Sequence, residues 1–180
     1  MASTNKMVSL FALLVLCFAA SATTTKAQGP IRTDIEFYLH EIINGTDPTA
    51  VPVAARSNYT GTNPFAAIFG TIYVIDNPLR SSGDPNSTLV GRAQGLYIFA
   101  SLSEPALFIS ATYTFVSGDY NGSSFSVVGL NKVRDPVREI PVVGGTGKFR
   151  FASGYSFLRT FSVDSLNNNI IGYNVTLRHY

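Results

Sequence analysis

The sequence predicts an all-β protein whose eight antiparallel strands close into a barrel. After the N-terminal segment, nearly every periodic stretch alternates apolar and polar residues, and no window of helical length has an apolar stripe. Asn121-Gly122 lies between two alternating stretches and is a strong hairpin signal. Eight such strands fit a sandwich or a barrel. Gly91, Ala93 and Gly95 share one face of a strand, and these small residues favour the barrel because they relieve crowding where it bends.

The predicted strands follow one another along the chain with short polar connections, and no repeat or linker interrupts them. We therefore expect one domain over residues 28–180. The strands are Thr33–Ile42, Phe69–Asp76, Gly91–Ser101, Leu107–Val116, Ser123–Val128, Val137–Val143, Phe149–Arg159 and Asn169–Arg178. Turn residues separate them at 44–48, 81–87, 121–122, 144–147 and 167–169.

The N-terminal 27 residues have the pattern of a secretory signal peptide. A basic residue, Lys6, precedes an apolar run over residues 8–20, and small residues allow cleavage after Ala22 or Ala27. The only cysteine, Cys17, lies in this segment, so the mature chain is expected to be secreted without a disulfide.

The charge of the remaining chain excludes a basic binding surface. Of the 13 Lys and Arg residues, Lys6 and Lys26 precede the later cleavage site and none of the 11 acidic residues does, so the rest is balanced. We expect neither nucleic acid nor a membrane as a partner. Five Asn-X-Ser/Thr sequons predict N-glycosylation: Asn44, Asn58, Asn86, Asn121 and Asn174.

The residue types needed for most catalytic centres are scarce. His40 and His179 are the only histidines, and no carboxylates cluster at ligand spacing, so no metal and no other cofactor is expected. His40 lies on the face of its strand opposite Glu41, which suggests a structural role or a subunit contact. The Gly144–Gly147 run is followed by no helix, so it is not a phosphate-binding loop.

A small polar set lies on the inward faces of otherwise apolar strands. Glu41 extends the face of Ile35, Phe37 and Leu39, and Arg138 shares parity with Ile140 and Val142 in a hairpin turned by Gly-Gly-Thr-Gly. Tyr97 and Asn131 continue two further apolar faces. Inward polar groups are costly unless they are paired or bind something. They predict a pocket, although Glu41 and Arg138 can also form a buried ion pair, Tyr97 can be core and Asn131 can begin a loop.

Several segments resemble the plant dirigent proteins, and the similarity covers the whole mature chain in order. They are Phe37-Tyr38-Leu39-His40-Glu41-Ile42, Phe69-Gly70-Thr71-Ile72-Tyr73, Val90-Gly91-Arg92-Ala93-Gln94-Gly95-Leu96-Tyr97 and Gly118-Asp119-Tyr120-Asn121-Gly122-Ser123.

The resemblance implies a calycin-like or allene-oxide-cyclase-like barrel that is secreted into the plant apoplast, is glycosylated and forms trimers or dimers. Such proteins have no oxidase centre. A laccase or peroxidase makes phenoxyl radicals from a monolignol such as coniferyl alcohol, and the dirigent barrel directs their coupling to one enantiomer of a lignan. Some relatives are enzymes that act on quinone methides, for example in closing a pterocarpan ring.

The family's site residues carry over with departures. Glu41 matches an acid that is usually Asp, while Tyr97 and Arg138 match family residues directly, and we assign these three catalytic roles. Asn131 stands where pinoresinol-forming members have a second Asp, and Ser153 where relatives commonly carry Arg. The missing carboxylate suggests another subfamily.

Four aromatic residues of one parity are further candidates for the pocket wall, with plain core as the alternative: Phe149, Phe151, Tyr155 and Phe157. Together with Asn131 they form the predicted substrate-binding set. The leading hypothesis is a stereodirecting protein for phenylpropanoid radicals or quinone methides, without oxidative activity of its own. The rivals are a quinone-methide cyclase or dehydratase, and a cell-wall protein in lignin or defence.

Overall fold

The computed structural model describes residues 29–180, and the predicted signal peptide lies outside this part of the chain. Nine strands and one short helix are formed within these residues. The strands are β1 (Ile31–Glu41), β2 (Ala50–Ala54), β3 (Ile72–Arg80), β4 (Leu89–Phe99), β5 (Ala106–Phe115), β6 (Ser124–Lys132), β7 (Arg138–Thr146), β8 (Ser153–Val163) and β9 (Asn169–His179), with α1 at Pro64–Ile68 and 3₁₀ turns at Gly118–Tyr120 and Gly147–Phe149.

The strands form one antiparallel sheet that closes into the predicted eight-stranded barrel. Strands β3 to β9 pair in chain order, β1 pairs with β9 along its whole length, and β1 also pairs with β3 through Leu39 and Leu79. Closure satisfies the backbone groups that an open edge would leave unpaired. No helix within residues 29–180 is long and apolar enough to span a membrane.

Two elements were not predicted from the sequence. Strand β2 contains Pro52 and pairs with the first half of β3. Strand β1 pairs with the last two residues of β3, on the same edge. The two strands therefore share one edge of β3, each pairing with a different part of it. Helix α1 is only five residues long, too short for a periodic pattern, and Asn63 caps it by accepting from the N–H groups of Phe65 and Ala66.

The predicted Gly-Gly-Thr-Gly hairpin turn is wrong in its position. Gly144, Gly145 and Thr146 continue β7 and pair with β6, and the chain turns only at Gly147–Phe149 before β8 begins at Ser153. The strand predicted to start at Phe149 therefore begins four residues too early, and it also ends four residues before β8 does. Glycine is common both in turns and where two strands pair closely, so the sequence of Gly144–Gly147 was compatible with a turn and with the end of a strand.

One end of the barrel interior is filled by aromatic rings. Phe37 is fully buried; its ring stacks on Tyr173 at a centroid distance of 5.1 Å and lies within 6.3 Å of the rings of Tyr113, Phe115 and Phe125. At Gly95 on β4, where φ is +156°, an added Cβ would clash with the Ser110 carbonyl oxygen of β5, so the close approach of the two strands requires glycine there.

Candidate functional site

A small cavity with polar groups adjoins the aromatic core inside the barrel, and Tyr113 of that core forms part of its wall. Glu41 ends β1, and the inward parity of β3, β4, β6 and β9 brings Asn77, Tyr97, Asn131 and Tyr173 to the same cavity. Its volume is about 40 Å³, enough for a water molecule or two. Apolar side chains complete the wall: Leu39, Ile75, Leu107, Ile109 and Ile171.

Glu41 is held by two side-chain amides. It is 8% exposed; its Oε1 accepts from Asn77 Nδ2 at 3.3 Å and its Oε2 accepts from Asn169 Nδ2 at 3.1 Å. Burial raises the pKa of the carboxyl, and the two amide hydrogen bonds oppose that rise. Glu41 is therefore suited to keep and donate a proton at a pH where an exposed glutamic acid has lost it.

Arg138 lies on the inward face of β7, as its parity with Ile140 predicts. Its Nη1 donates to Thr160 Oγ1 at 2.9 Å and to the Asp135 carbonyl oxygen at 3.4 Å, whereas its Nε is buried without an acceptor. Among the ion pairs of residues 29–180, none joins Arg138 to Glu41, so the alternative of a structural ion pair is not realised. Burial lowers the pKa of Arg138, but a guanidinium keeps its charge in proteins. Arg138 thus keeps a free N–H donor inside the barrel.

Three tyrosine hydroxyls differ in their readiness to donate. Tyr97 stacks on Tyr73 at 5.0 Å, and burial, reinforced by the negative charge of Glu41, raises its pKa. Tyr113 donates to the Tyr173 hydroxyl at 2.9 Å. Burial raises the pKa of Tyr173 to about 12, while the hydrogen bond from Tyr113 and the charge of Arg138 hold it down. Because its oxygen already accepts from Tyr113, the Tyr173 proton is available to a guest in the cavity.

Asn131 reaches the cavity from β6. The side chain is 3% exposed, and its Oδ1 is buried without a donor. An unmet buried acceptor costs free energy until a partner arrives. Asn131 is therefore a position where a ligand hydroxyl would gain a hydrogen bond.

The prediction that Phe149, Phe151, Tyr155 and Phe157 share an inward face is wrong. Phe149 is buried, but it packs on Phe115, Tyr120 and His179 at the aromatic end of the barrel, away from Glu41. Phe151 lies in the turn before β8 with φ +62° and is 77% exposed. Tyr155 and Phe157 alternate with the buried Ser156 and Leu158, so they lie on the outer face. The turn after β7 breaks the parity on which the prediction depended.

A larger pocket, the mouth pocket, lies at the rim of the barrel where β1 ends, and several of its lining residues, such as His40 and Pro78, have the outward parity of their strands. It has a volume of about 300 Å³, and Glu41 lines both spaces. Its other walls come from the ends of β1, β3 and β8, from the start of β9 and from the neighbouring loops: His40, Ile42, Pro78, Arg80, Pro85, Ser162, Asp164, Asn168, Asn169 and Ile170. His40 Nε2 hydrogen-bonds to the Ser82 carbonyl oxygen of the 81–88 loop, which fits the structural role, one of the two roles predicted for this residue.

Sequence reasoning missed Asn77, Asn169 and Tyr173. Asn77 shares parity with Ile75 and Leu79, but the predicted strand stopped at Asp76, one residue before it. Asn169 and Tyr173 lie in a strand that was predicted, and inward parity with residues 171, 175 and 177 was the signal available for them.

A family model described as Dirigent-like protein matches residues 32–178. This chain belongs to the dirigent family. It is 42% identical to Dirigent protein 23 of Arabidopsis thaliana over 82% of the chain and 78% of the relative. It is 38% identical to Pterocarpan synthase 1 of Glycine max over 95% of the chain and 92% of that protein.

Solved structures of two pterocarpan synthase dirigent proteins are similar to this dirigent chain. Both superpose with a TM-score of 0.77, at 36% and 37% identity, covering 86% and 85% of the chain and 88% and 98% of the solved proteins. Family membership implies phenoxyl radicals or quinone methides as the general class of substrate.

Proposed function

We propose that this dirigent protein binds phenoxyl radicals or quinone methides of phenylpropanoids at the mouth of its barrel and directs the stereochemistry of their reaction. A laccase or peroxidase supplies the radicals, and coniferyl alcohol is the monolignol to test first. The chain contributes binding and orientation, and it needs no oxidative step of its own.

The unmet buried polar atoms at the barrel interior carry this proposal. Asn131 Oδ1 and Arg138 Nε have no partner. The buried acid Glu41 lines the same cavity as Asn131 and Tyr173, and the charge of Arg138 acts on the Tyr173 hydroxyl. A phenolic guest can accept from Arg138 and donate to Asn131, which removes the cost of both unmet groups. Apolar walls around a few convergent polar groups are typical of small-molecule sites.

The sizes of the two spaces support a guest that lies across the mouth pocket. The inner cavity of about 40 Å³ is too small for an aromatic ring, whereas the mouth pocket of about 300 Å³ is in the range of ligand sites. Since Glu41 lines both spaces, we propose that the ring occupies the mouth pocket and its reacting oxygen lies at Glu41.

The chemistry follows from the protonation of Glu41. When a nucleophile attacks a quinone methide at its exocyclic carbon, the electron pair moves to the ring oxygen, which becomes a phenolate and takes a proton. Glu41 donates that proton, Arg138 and Tyr97 stabilise the developing charge, and the proton released by the nucleophile reprotonates Glu41 through solvent. A hundredfold preference between enantiomers requires about 2.7 kcal/mol, within the reach of one charged hydrogen bond and rigid walls.

A second candidate is the closure of a ring on a quinone methide without an oxidant. The similarity to Pterocarpan synthase 1 of Glycine max over 95% of the chain supports it, and so does the single carboxyl at the site, since Asn131 offers no second acid. In this case the attacking group is a hydroxyl of the same molecule, and Glu41 keeps the role of acid.

We also propose that the protein is secreted to the apoplast, glycosylated and oligomeric. All five sequon asparagines have exposed side chains, including Asn174, which faces outward from β9. Exposure is required for a stable glycan on a folded protein. Intact-mass measurement before and after glycosidase treatment, with size-exclusion light scattering, tests occupancy and subunit number.

Chiral chromatography of coupled products tests the main proposal. Coniferyl alcohol is oxidised by a laccase with and without the protein, and an enantiomeric excess that appears only with the protein is expected. Glu36→Gln is the matched control for Glu41→Gln, because Glu36 lies on the same strand but faces outward. We expect Glu41→Gln to lose selectivity and Glu36→Gln to keep it.

Two other outcomes separate the alternatives. A racemic product, together with turnover of an isoflavanol without oxidant, would establish the ring-closing function. No effect in either assay would favour a wall-interaction protein whose cavity is not used.

A further inference from the structure

A hydrogen-bond chain runs from the loop after β1 to the Glu41 carboxyl. The Ile42 backbone N–H donates to Thr49 Oγ1 at 2.9 Å, and the Thr49 hydroxyl donates to Asn77 Oδ1 at 2.6 Å. Asn77 Nδ2 then donates to Glu41 Oε1 at 3.3 Å. Both ends of the 42–49 loop therefore take part in holding one oxygen of the buried acid.

The direction of each bond in this chain is fixed. A threonine hydroxyl has one proton, and with Ile42 donating to its oxygen, that proton goes to Asn77 Oδ1. Asn77 is 0% exposed, so bulk solvent does not compete for its amide. The amide nitrogen must then face Glu41, and Glu41 Oε1 must accept.

We infer that Thr49 and Asn77 form a relay that holds the Glu41 carboxyl in one orientation and favours its acceptor form, so that the loop after β1 controls the reactive acid. This inference rests on the proposed function for the role of Glu41, but its hydrogen bonds do not depend on any substrate. Thr49 and Asn77 are positioning residues, because they act through Glu41.

Loss of the Thr49 hydroxyl should change the proton affinity of Glu41. Without it, Asn77 Oδ1 loses its donor, and the amide gains by turning its oxygen towards Glu41. When Asn77 Oδ1 faces Glu41, it can accept a hydrogen bond only from a protonated carboxyl, so the pKa of Glu41 should rise further.

The other ionisable groups around Glu41 do not belong to the relay, because within the described residues none of them hydrogen-bonds to the Thr49 or Asn77 side chain. Inside the barrel they come from β4, β5 and β9, and at the mouth from β1, β3 and the loop after β8. They are Tyr97, Tyr113, Tyr173, His40, Arg80 and Asp164.

The test is a ¹³C NMR titration of the side-chain carboxyls in the full secreted protein, without substrate. Glu41→Gln identifies the Glu41 signal by its disappearance. Thr49→Val keeps the shape of the side chain but removes the hydroxyl, and Thr49→Ser restores the hydroxyl. We expect the Glu41 midpoint to rise by about one pH unit in Thr49→Val, a tenfold change in proton affinity, and to stay within about 0.3 of the native midpoint in Thr49→Ser.

A second variant and a second readout keep the inference open to refutation. If Thr49→Val does not fold, Thr49→Ala removes the same donor with a smaller side chain. An unchanged Glu41 midpoint in the hydroxyl-free variant would overturn the relay. If the midpoint shifts while the native protein directs no product stereochemistry and closes no ring, the relay stands and the proposed function fails. Where selectivity is present, its pH profile should move upward with the Glu41 midpoint.

Discussion

Replacement of Arg138 by methionine should separate the function of this side chain from its contribution to stability. Its Nη1 makes one good hydrogen bond, at 2.9 Å to Thr160, and a long one at 3.4 Å to the Asp135 carbonyl. A hydrogen bond from a charged group contributes about 1.5–3 kcal/mol, and an unmet buried N–H such as Nε costs about 1–3 kcal/mol. These contributions nearly cancel. Since methionine keeps the apolar stem, we expect the free energy of unfolding to change by no more than about 1 kcal/mol.

The effect of the same substitution on selectivity should be large. Loss of a charged hydrogen bond of about 1.5–3 kcal/mol in the favoured transition state lowers its advantage by about 10- to 150-fold, which removes most of the enantiomeric excess. Chiral chromatography of the laccase-coupled product measures the excess, and urea denaturation measures stability. Arg159→Met is the matched control, since Arg159 is exposed on the outer face of β8 and neither quantity should change.

Two results would refute this reasoning. Retained selectivity in Arg138→Met would remove the guanidinium from the site. A melting temperature lowered by much more than about 4 °C would show that Arg138 stabilises the barrel by far more than its visible hydrogen bonds do.

Two further predictions concern the buried acid and the aromatic core. Because burial raises the folded pKa of Glu41, the folded state holds a proton that the unfolded chain has released, so the free energy of unfolding should fall as pH rises from the ordinary glutamic acid pKa through the raised one. In urea denaturation between pH 4 and 8, Glu41→Gln should reduce the dependence of the free energy of unfolding on pH, whereas Glu36→Gln should leave that dependence unchanged. An equal dependence on pH in the two variants would contradict the assignment to Glu41. Phe37→Ala removes a fully buried ring and should cost about 3–5 kcal/mol in urea denaturation. The exposed Phe151→Ala should cost less than about 0.5 kcal/mol, and similar costs for the two would contradict the packing described above.

The parts of the site that could be predicted from sequence are those governed by strand parity. Glu41, Tyr97, Asn131 and Arg138 each continue an apolar face, and all four are buried inside the barrel. Parity works here because successive side chains of a strand point to opposite sides of the sheet. It failed for Phe151 and Phe157, since the chain turns between β7 and β8 and a turn resets the alternation.

Other features have no local signal. Asn77, Asn169 and Thr49 meet Glu41 or its partner from three separate segments, and their hydrogen bonds arise only after the barrel has closed. Strand β2 carries a proline and alanines, a composition that does not favour a strand, and forms because β3 offers it an unpaired edge.

The sequence alone determined the all-β class, the closed sheet, the inward polar residues and, through its motifs, the dirigent resemblance that the family comparison confirmed. These properties follow from local alternation and turn chemistry, which neighbouring residues encode. The tertiary structure decided where the aromatic rings fill the barrel, how small the inner cavity is and that Glu41 lines both this cavity and the mouth pocket. It also decided which amides hold the Glu41 carboxyl. The register of strand pairing sets those features, because it brings together residues more than a hundred positions apart, such as Glu41 and Asn169.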